Sequence, residues 1–314
     1  MLIMSYPPVP LPNGHNFTAT LHSKTYAAID SATSCDHSGH VVFISGASKG
    51  VGRATAISFA RAGAEGIVIG ARSDLSSLET ELQMAATAAG RKPPKVLAVK
   101  LDLLSHQSVK DAVEKVEETF GRLDILVNNA GYLATSQTIA DSDLDEWWQT
   151  FEVNIRGVYL MTRAFLPMML KSGMKTIVNV ASTGANSLRP GASGYQTSKF
   201  ALLRFTEFVM TEYADRGILA YCVHPGAVNT DMGKKLPEYL HKGECHKYRG
   251  LESSSILVLI DDPELAGDTM CFLTQERREW LAGRYINCTW DMPEFLDKQV
   301  DIVENDKLKE RMLF

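Results

Sequence analysis

The chain has 314 residues, 45% of them hydrophobic and 22% charged, the profile of an ordinary globular protein with room for one large domain or two small ones. Its formal charge of -5 gives no electrostatic footing for a nucleic-acid partner. Five cysteines without a CxxC pair argue against a disulfide framework and for a reducing compartment, and no apolar run of about 18 residues reads as a membrane span.

Residues 1–38 open with Pro7, Pro8, Pro10 and Pro12 and show no clear period. They read as an N-terminal extension, either disordered or laid over the domain. No charged stretch followed by a long apolar run begins the chain, so no signal peptide is expected and a cytoplasmic location is the default. From His40 onward short apolar runs alternate with helical patterns. Val41–Ile44 predicts a strand, followed by a glycine-rich turn and a helix to about Ala62. Ile67–Ile69 and Val96–Val99 predict strands, with helices from about Ser76 to Ala89 and over 105–120. Ile125–Val127 precedes one long helical region, about 143–171. Ile177–Val180 is a strand, 195–214 a helix, Leu219–Val223 a sixth strand and Tyr285–Asn287 a seventh. Residues 291–314 carry Leu296, Val300, Ile302 and Val303 in a helix-like pattern and read as a C-terminal helical tail.

Near-continuous apolar strands separated by helices imply a parallel sheet covered on both faces. Right-handed crossovers then give a single-domain α/β fold of the Rossmann type, a doubly wound sheet of about seven strands over residues 39–290. His241, Cys245 and His246 lie close together but have no second ligand pair at zinc-like spacing, and they read as a polar loop.

The first strand runs into Ser45-Gly46-Ala47-Ser48-Lys49-Gly50-Val51-Gly52 and then directly into a helix. Glycines let the backbone approach a pyrophosphate, which the helix N-terminus holds through its free N–H groups. The spacing is G-x-x-x-G-x-G, and its setting in the first strand–loop–helix unit of a doubly wound sheet points to a dinucleotide. An acidic residue at the end of the second strand would accept bonds from the ribose hydroxyls and repel a 2′-phosphate. Ala71 and Arg72 stand there instead, and Lys49 lies in the loop. Two cations near one ribose favour NADP(H) over NAD(H).

These motifs together resemble the short-chain dehydrogenase/reductase superfamily over roughly residues 39–290. The glycine loop 45–52 is similar to the family's, with Ser45 where Thr is usual. The resemblance implies cofactor contacts from Gly46, Ser48, Lys49, Gly50, Val51, Gly52, Arg72 and Asp102, and from Asn129, Ala130 and Gly131 of Asn128-Asn129-Ala130-Gly131. It adds Tyr195 and Lys199, and Pro225, Gly226, Val228 and Thr230 as the grip on the nicotinamide, with His224 where Asn is commoner. It also implies a catalytic set of Asn154, Ser182, Tyr195 and Lys199. The flanks, near Thr20–Tyr26 and Trp290–Glu294, look like those of fungal members. Members of the superfamily associate through the helices that fall here at about 143–171 and 195–214, so a homodimer or homotetramer is expected, although packing within one subunit explains the same apolar residues.

The chemistry agrees. Hydride transfer to a carbonyl carbon leaves charge on its oxygen, so a proton must come from a positioned acid. Tyr195 alone among ten tyrosines has a lysine four residues on, which sets Lys199 on the same helical face. A nearby ammonium is expected to favour phenolate and lower the phenol's pKa. Ser182 follows the strand 177–180 at the carboxyl edge, where its hydroxyl can donate to the substrate oxygen, and Asn154 beside Lys199 can hold a water that returns the proton. Residues 184–193 and 231–260 should line the substrate pocket and are mixed in character, with Tyr132 at its border. These residues fit an NADPH-dependent reductase of a partly apolar ketone or alcohol. They leave open an NAD(P)-dependent alcohol dehydrogenase working oxidatively, a non-redox biosynthetic enzyme, and a cofactor-binding scaffold without turnover.

Overall fold

The computed structural model describes residues 14, 16–233 and 259–312; the His241, Cys245 and His246 cluster and most of the 231–260 segment lie outside them. Seven parallel strands form one sheet in the order β3-β2-β1-β4-β5-β6-β7. They are β1 (Val41–Ser45), β2 (Gly66–Ala71), β3 (Lys95–Lys100), β4 (Ile125–Asn128), β5 (Thr176–Val180), β6 (Leu219–His224) and β7 (Tyr285–Asn287). Every residue of β1, β2, β4, β5 and β6 is buried, as expected of a sheet covered on both faces. Alternate residues feed two cores: Val42 and Ile44 pack with Ile67, Phe59 and Leu82, whereas Val41 and Phe43 pack with Val68, Val109 and Phe165.

The strand order reverses between β1 and β4, which pair through Ile44 and Val127, and this divergence opens the crevice in which such sheets bind ligands. Helix α1 (Gly50–Arg61) leads away from β1, α2 (Ser76–Ala88) from β2 and α3 (His106–Phe120) from β3. The long helical region read at about 143–171 runs without a break from Leu144 to Met169, as α4 (Leu144–Phe151), a π-helical stretch (Glu152–Gly157) and α5 (Val158–Met169), with Pro167 inside the last. A π turn adds a residue without changing composition, so hydrophobic period does not reveal it. Helix α6 (Ser193–Tyr213) follows β5. Helix α7 (Pro263–Thr274), which the periodicity reading passed over, packs against α1; Asp262 caps it by accepting from Glu264 N at 3.0 Å. The tail holds α8 (Met292–Asp297) and α9 (Gln299–Glu304), and residues 305–312 are not helical.

Residues 16–38 are laid over the domain. Ile29 is fully buried, the Thr25 hydroxyl donates to Asp268 at 2.5 Å, and the Ser58 hydroxyl donates to the other carboxylate oxygen at 2.6 Å. Leu21 pairs antiparallel with Trp290, whose ring lies 5.0 Å from Phe17 and 5.6 Å from Phe295. Among the described residues no helix is long and apolar enough to cross a membrane, and no group of three or more acidic, His or Cys side chains is placed to hold a metal.

Candidate active site

A cavity of about 860 Å³ runs along the carboxyl edge of the sheet. Loops beyond six strands build its wall. Gly46, Ser48, Lys49, Gly50, Val51 and Gly52 come from the β1 turn, Arg72 from β2, Asp102 from β3, and Asn129, Ala130 and Gly131 from β4. Ser182 follows β5, Tyr195 and Lys199 project from α6, and Pro225, Gly226, Val228 and Thr230 follow β6. Every residue expected to touch the cofactor therefore faces one space. Asn154 does not line it.

The glycine turn is close-packed backbone. Gly46 has φ +69 and lies so near Ala130 that a Cβ there would come within 2.8 Å of its Cα. A Cβ on Gly52 would overlap both Asn129 Nδ2 and the Gly46 carbonyl. The buried Ser45 hydroxyl accepts the N–H groups of Asn129 and Ala130, both at 3.1 Å, while Asn129 Nδ2 donates to the carbonyls of Ser45 (2.9 Å) and Gly46 (3.2 Å). Serine here keeps the hydroxyl that clips the two turns together. Helix α1 starts with no side-chain cap and no acid in its first turn. A glycine-rich cradle, ending on an uncapped helix start that faces the cavity, fits a pyrophosphate.

At the far end of the cavity Ala71 is buried and Arg72 exposed, and no carboxylate ends β2. Asp102 is occupied locally, accepting from Leu104 N at 3.0 Å. Lys49, read from sequence as the second cation near the ribose, pairs through its Nζ with Asp231 at 2.7 Å, with both side chains more than half exposed. Such a surface pair is worth little and is readily exchanged for another anion.

At the near end, Ser182 accepts from Gly184 N at 3.0 Å and hydrogen-bonds the Tyr195 phenol. Lys199 is 4% exposed; its Nζ donates to the Val180 carbonyl at 2.7 Å and lies 5.8 Å from the Tyr195 ring centroid. Burial lowers its pKa from 10.5 to about 8. The expectation for Tyr195 needs correction. Burial raises its pKa, and the influences that oppose burial are the Ser182 hydrogen bond and the charge of Arg189. The Lys199 ammonium donates to the Val180 carbonyl and lies over the Tyr195 ring, and at the phenol desolvation outweighs the two influences that oppose it.

Asn154 sits in the π-helical stretch, fully buried behind Gly131. Its Oδ1 accepts from Tyr132 N at 2.8 Å, and its Nδ2 donates to Tyr132 O and to Ser198 Oγ, both at 3.0 Å. Its amide is thus spent on holding the chain past the β4 turn. A Cβ on Gly131 would stand 3.4 Å from Asn154 Oδ1 and 3.7 Å from Lys199 Nζ, so glycine keeps the space between them open. Two supports had no forecast. Ser198 Oγ links Asn154 to the Tyr195 carbonyl, to which it donates at 2.7 Å. Asp261 accepts from Ala227 N at 2.6 Å and fixes the Pro225-Gly226 bend; its place before the capping Asp262 and Pro263 was the available signal.

A family model described as short chain dehydrogenase matches residues 40–240, and the chain belongs to that family of oxidoreductases. A short chain dehydrogenase of Monascus purpureus is 47% identical over 310 residues, covering 99% of this chain and 100% of its own. The 3-oxoacyl-[acyl-carrier-protein] reductase of Thermotoga maritima is 32% identical over 249 residues, 79% of this chain and 95% of its own. Among solved structures, the 3-ketoacyl-(acyl-carrier-protein) reductase of Brucella melitensis, complexed with NADH, superposes with a TM-score of 0.66 at 28% identity, over 80% of this chain and 97% of that one.

Proposed function

We propose that the protein is an NADP(H)-dependent carbonyl reductase in which Tyr195 is the general acid/base. One observation carries the reading: the Ser182–Tyr195 hydrogen bond and the buried Lys199 stand at one end of the same cavity whose other end is the glycine cradle and Arg72. When bound, the nicotinamide supplies or accepts the hydride. Gly46, Gly50, Gly52 and the open start of α1 would hold the pyrophosphate. Arg72, with Lys49 if it exchanged Asp231 for the phosphate, would favour the 2′-phosphate, and Pro225, Gly226, Val228 and Thr230 would bound the nicotinamide side.

Ser182 Oγ donates to the carbonyl oxygen, and the Tyr195 hydroxyl gives its proton to that oxygen as charge develops. Burial keeps Tyr195 protonated until then. Lys199, at about 8, is the group matched to the working pH; it stabilises the phenolate and restores its proton. Asn154 acts through position, fixing Tyr132 and Ser198. The same groups run backward on a secondary alcohol. Leu133, Val153, Leu188, Met232 and Leu259 in the wall suit a partly apolar ketone. Subunits would associate through α5 and α6, where Tyr159, Phe200 and Phe208 are exposed. Free buried cysteines suit the cytoplasm.

Tyr195→Phe tests the reading. Turnover of a carbonyl panel with NADPH should fall by about 10²–10⁴-fold, while NADPH binding followed by nucleotide fluorescence persists. Undiminished turnover would remove Tyr195 as the acid.

A further inference from the structure

The turn after β6 is held from outside the sheet. Ala227 N donates to Asp261 Oδ2 at 2.6 Å, and Asp261 N donates back to the Ala227 carbonyl at 3.2 Å. Val228 pairs with Asp261 as an isolated parallel bridge. Gly226 turns at φ +96, and a Cβ there would come within 2.8 Å of Asp261 Oδ2, so glycine lets the carboxylate lie against the backbone. Two hydrogen bonds, one of them to a carboxylate, thus fix residues 226–228, which line the cavity beside Thr230.

Asp261 is in turn held by the N-terminal flank. The next residue, Asp262, donates its N–H to the Ser23 carbonyl at 2.8 Å. Ser23 is fixed from both sides. His22 N donates to the Thr289 carbonyl at 2.7 Å and its ring meets Asp291 at 2.9 Å, while the Thr25 hydroxyl donates to Asp268 of α7 at 2.5 Å. A chain of bonds therefore runs from residues 22–25, ahead of β1, through Asp262 and Asp261 to the turn at 226–228. Asp262 also caps α7, so the start of that helix and the turn are set at one place.

We propose that Asp261 is a positioning residue for the nicotinamide, and that the N-terminal flank sets its place through Ser23, so that the flank governs how firmly the nicotinamide half of the cofactor is held. The proposal rests on the reading that the 225–230 turn bounds the nicotinamide, and its test separates the two.

The full-length protein and its variants are titrated calorimetrically with NADPH and with adenosine 2′,5′-bisphosphate, which lacks the nicotinamide half. NADH and ADP are run in parallel, so that the comparison does not depend on which dinucleotide is preferred. The quantity read is the ratio of the two affinities within each pair. Asp261→Ala should lower that ratio by about tenfold or more, the factor set by about 1.4 kcal/mol, while the adenosine nucleotides bind as before. Asp261→Asn keeps an acceptor oxygen and should retain part of the ratio. Asp262→Pro removes the N–H that reaches Ser23, at a residue whose φ of -73 and ψ of 132 suit proline. Asp262→Ala removes the cap alone. Both lose the cap and only D262P loses the tie, so the ratio should be lower in D262P than in D262A. Melting temperatures establish that each variant is folded. Equal losses of dinucleotide and adenosine-nucleotide affinity in D261A would be general damage and overturn the proposal. Equal ratios in D262P and D262A overturn the part given to the flank. A wild-type ratio that D261A leaves intact overturns the proposal and leaves the reading of the turn standing. A wild-type protein that binds neither dinucleotide better than its adenosine nucleotide has no nicotinamide grip, which rejects that reading and the proposal with it.

Discussion

Replacing Lys199 by methionine should abolish turnover and, unusually for a catalytic change, improve the protein's relative stability at neutral pH. A lysine lowered from 10.5 to about 8 is held charged at a cost of about 3 kcal/mol. Below pH 8 Lys199 is charged in both the folded and the unfolded chain, and the whole penalty opposes folding. Between pH 8 and 10.5 the folded protein releases its proton while the unfolded chain retains it, so stability rises with pH across that window. Above 10.5 both are neutral and the penalty is gone. Methionine has no such term, although it leaves the Val180 carbonyl without its donor, an offset of about 1–3 kcal/mol that does not change with pH. The informative quantity is therefore the difference in melting temperature between K199M and wild type, measured without cofactor by scanning fluorimetry from pH 7 to 10.5. Other titrating groups cancel in that difference. It should move in favour of the wild type by about 5 °C for a chain of this length. A difference that stays flat with pH would mean that Lys199 is not held in a desolvated site, and its role as the group poised near pH 8 would fall with it.

Two further outcomes bear on the cofactor. Arg72→Asp places a carboxylate at the end of β2, and the ratio of kcat/KM for NADPH to that for NADH should fall by about tenfold or more, as one lost charge-assisted bond and one new repulsion imply; an unchanged ratio would assign the 2′-phosphate elsewhere. Gly52→Ala forces a methyl into Asn129 and the Gly46 carbonyl, so a urea midpoint should report a loss of about 1–3 kcal/mol and NADPH affinity should drop with it; a neutral result would mean that the two turns are not clipped together as described.

All the strands but the edge strand β3 were readable as short apolar runs buried on both faces, and β3 still carries an apolar centre between its lysines. The doubly wound class followed from crossover handedness. Other features left weaker traces. Helix α7 announces itself only by Asp262, Pro263 and Glu264, since it is buried nearly all round and has no polar face to mark its period. The π-helical stretch is invisible to periodicity, yet it is what sets Asn154 behind Gly131. Residue types located the cavity wall well but not the electrostatics within it. The i, i+4 spacing of Tyr195 and Lys199 brings them near each other, whereas the direction of each pKa depends on which carbonyl the ammonium reaches and how much water remains, and these are properties of the packed site. Likewise, the Lys49–Asp231 pair joins residues 182 apart in sequence, and no local reading connects them.

The seal at Trp290 bears on how this protein can be cut. The frame shared across the family spans 40–240, yet the apolar interior is closed by Ile29 from before it and by Trp290 and Phe295 from after it. Asp268 is likewise satisfied from two directions, by Ser58 within the frame and by Thr25 outside it. The contacts that close the core therefore reach beyond the shared frame on both sides. Trimming to residue 40 would bare the flank of α1 and leave a buried carboxylate short of a donor, so a shortened version intended for crystals or for grafting should retain both flanks and take its cuts elsewhere.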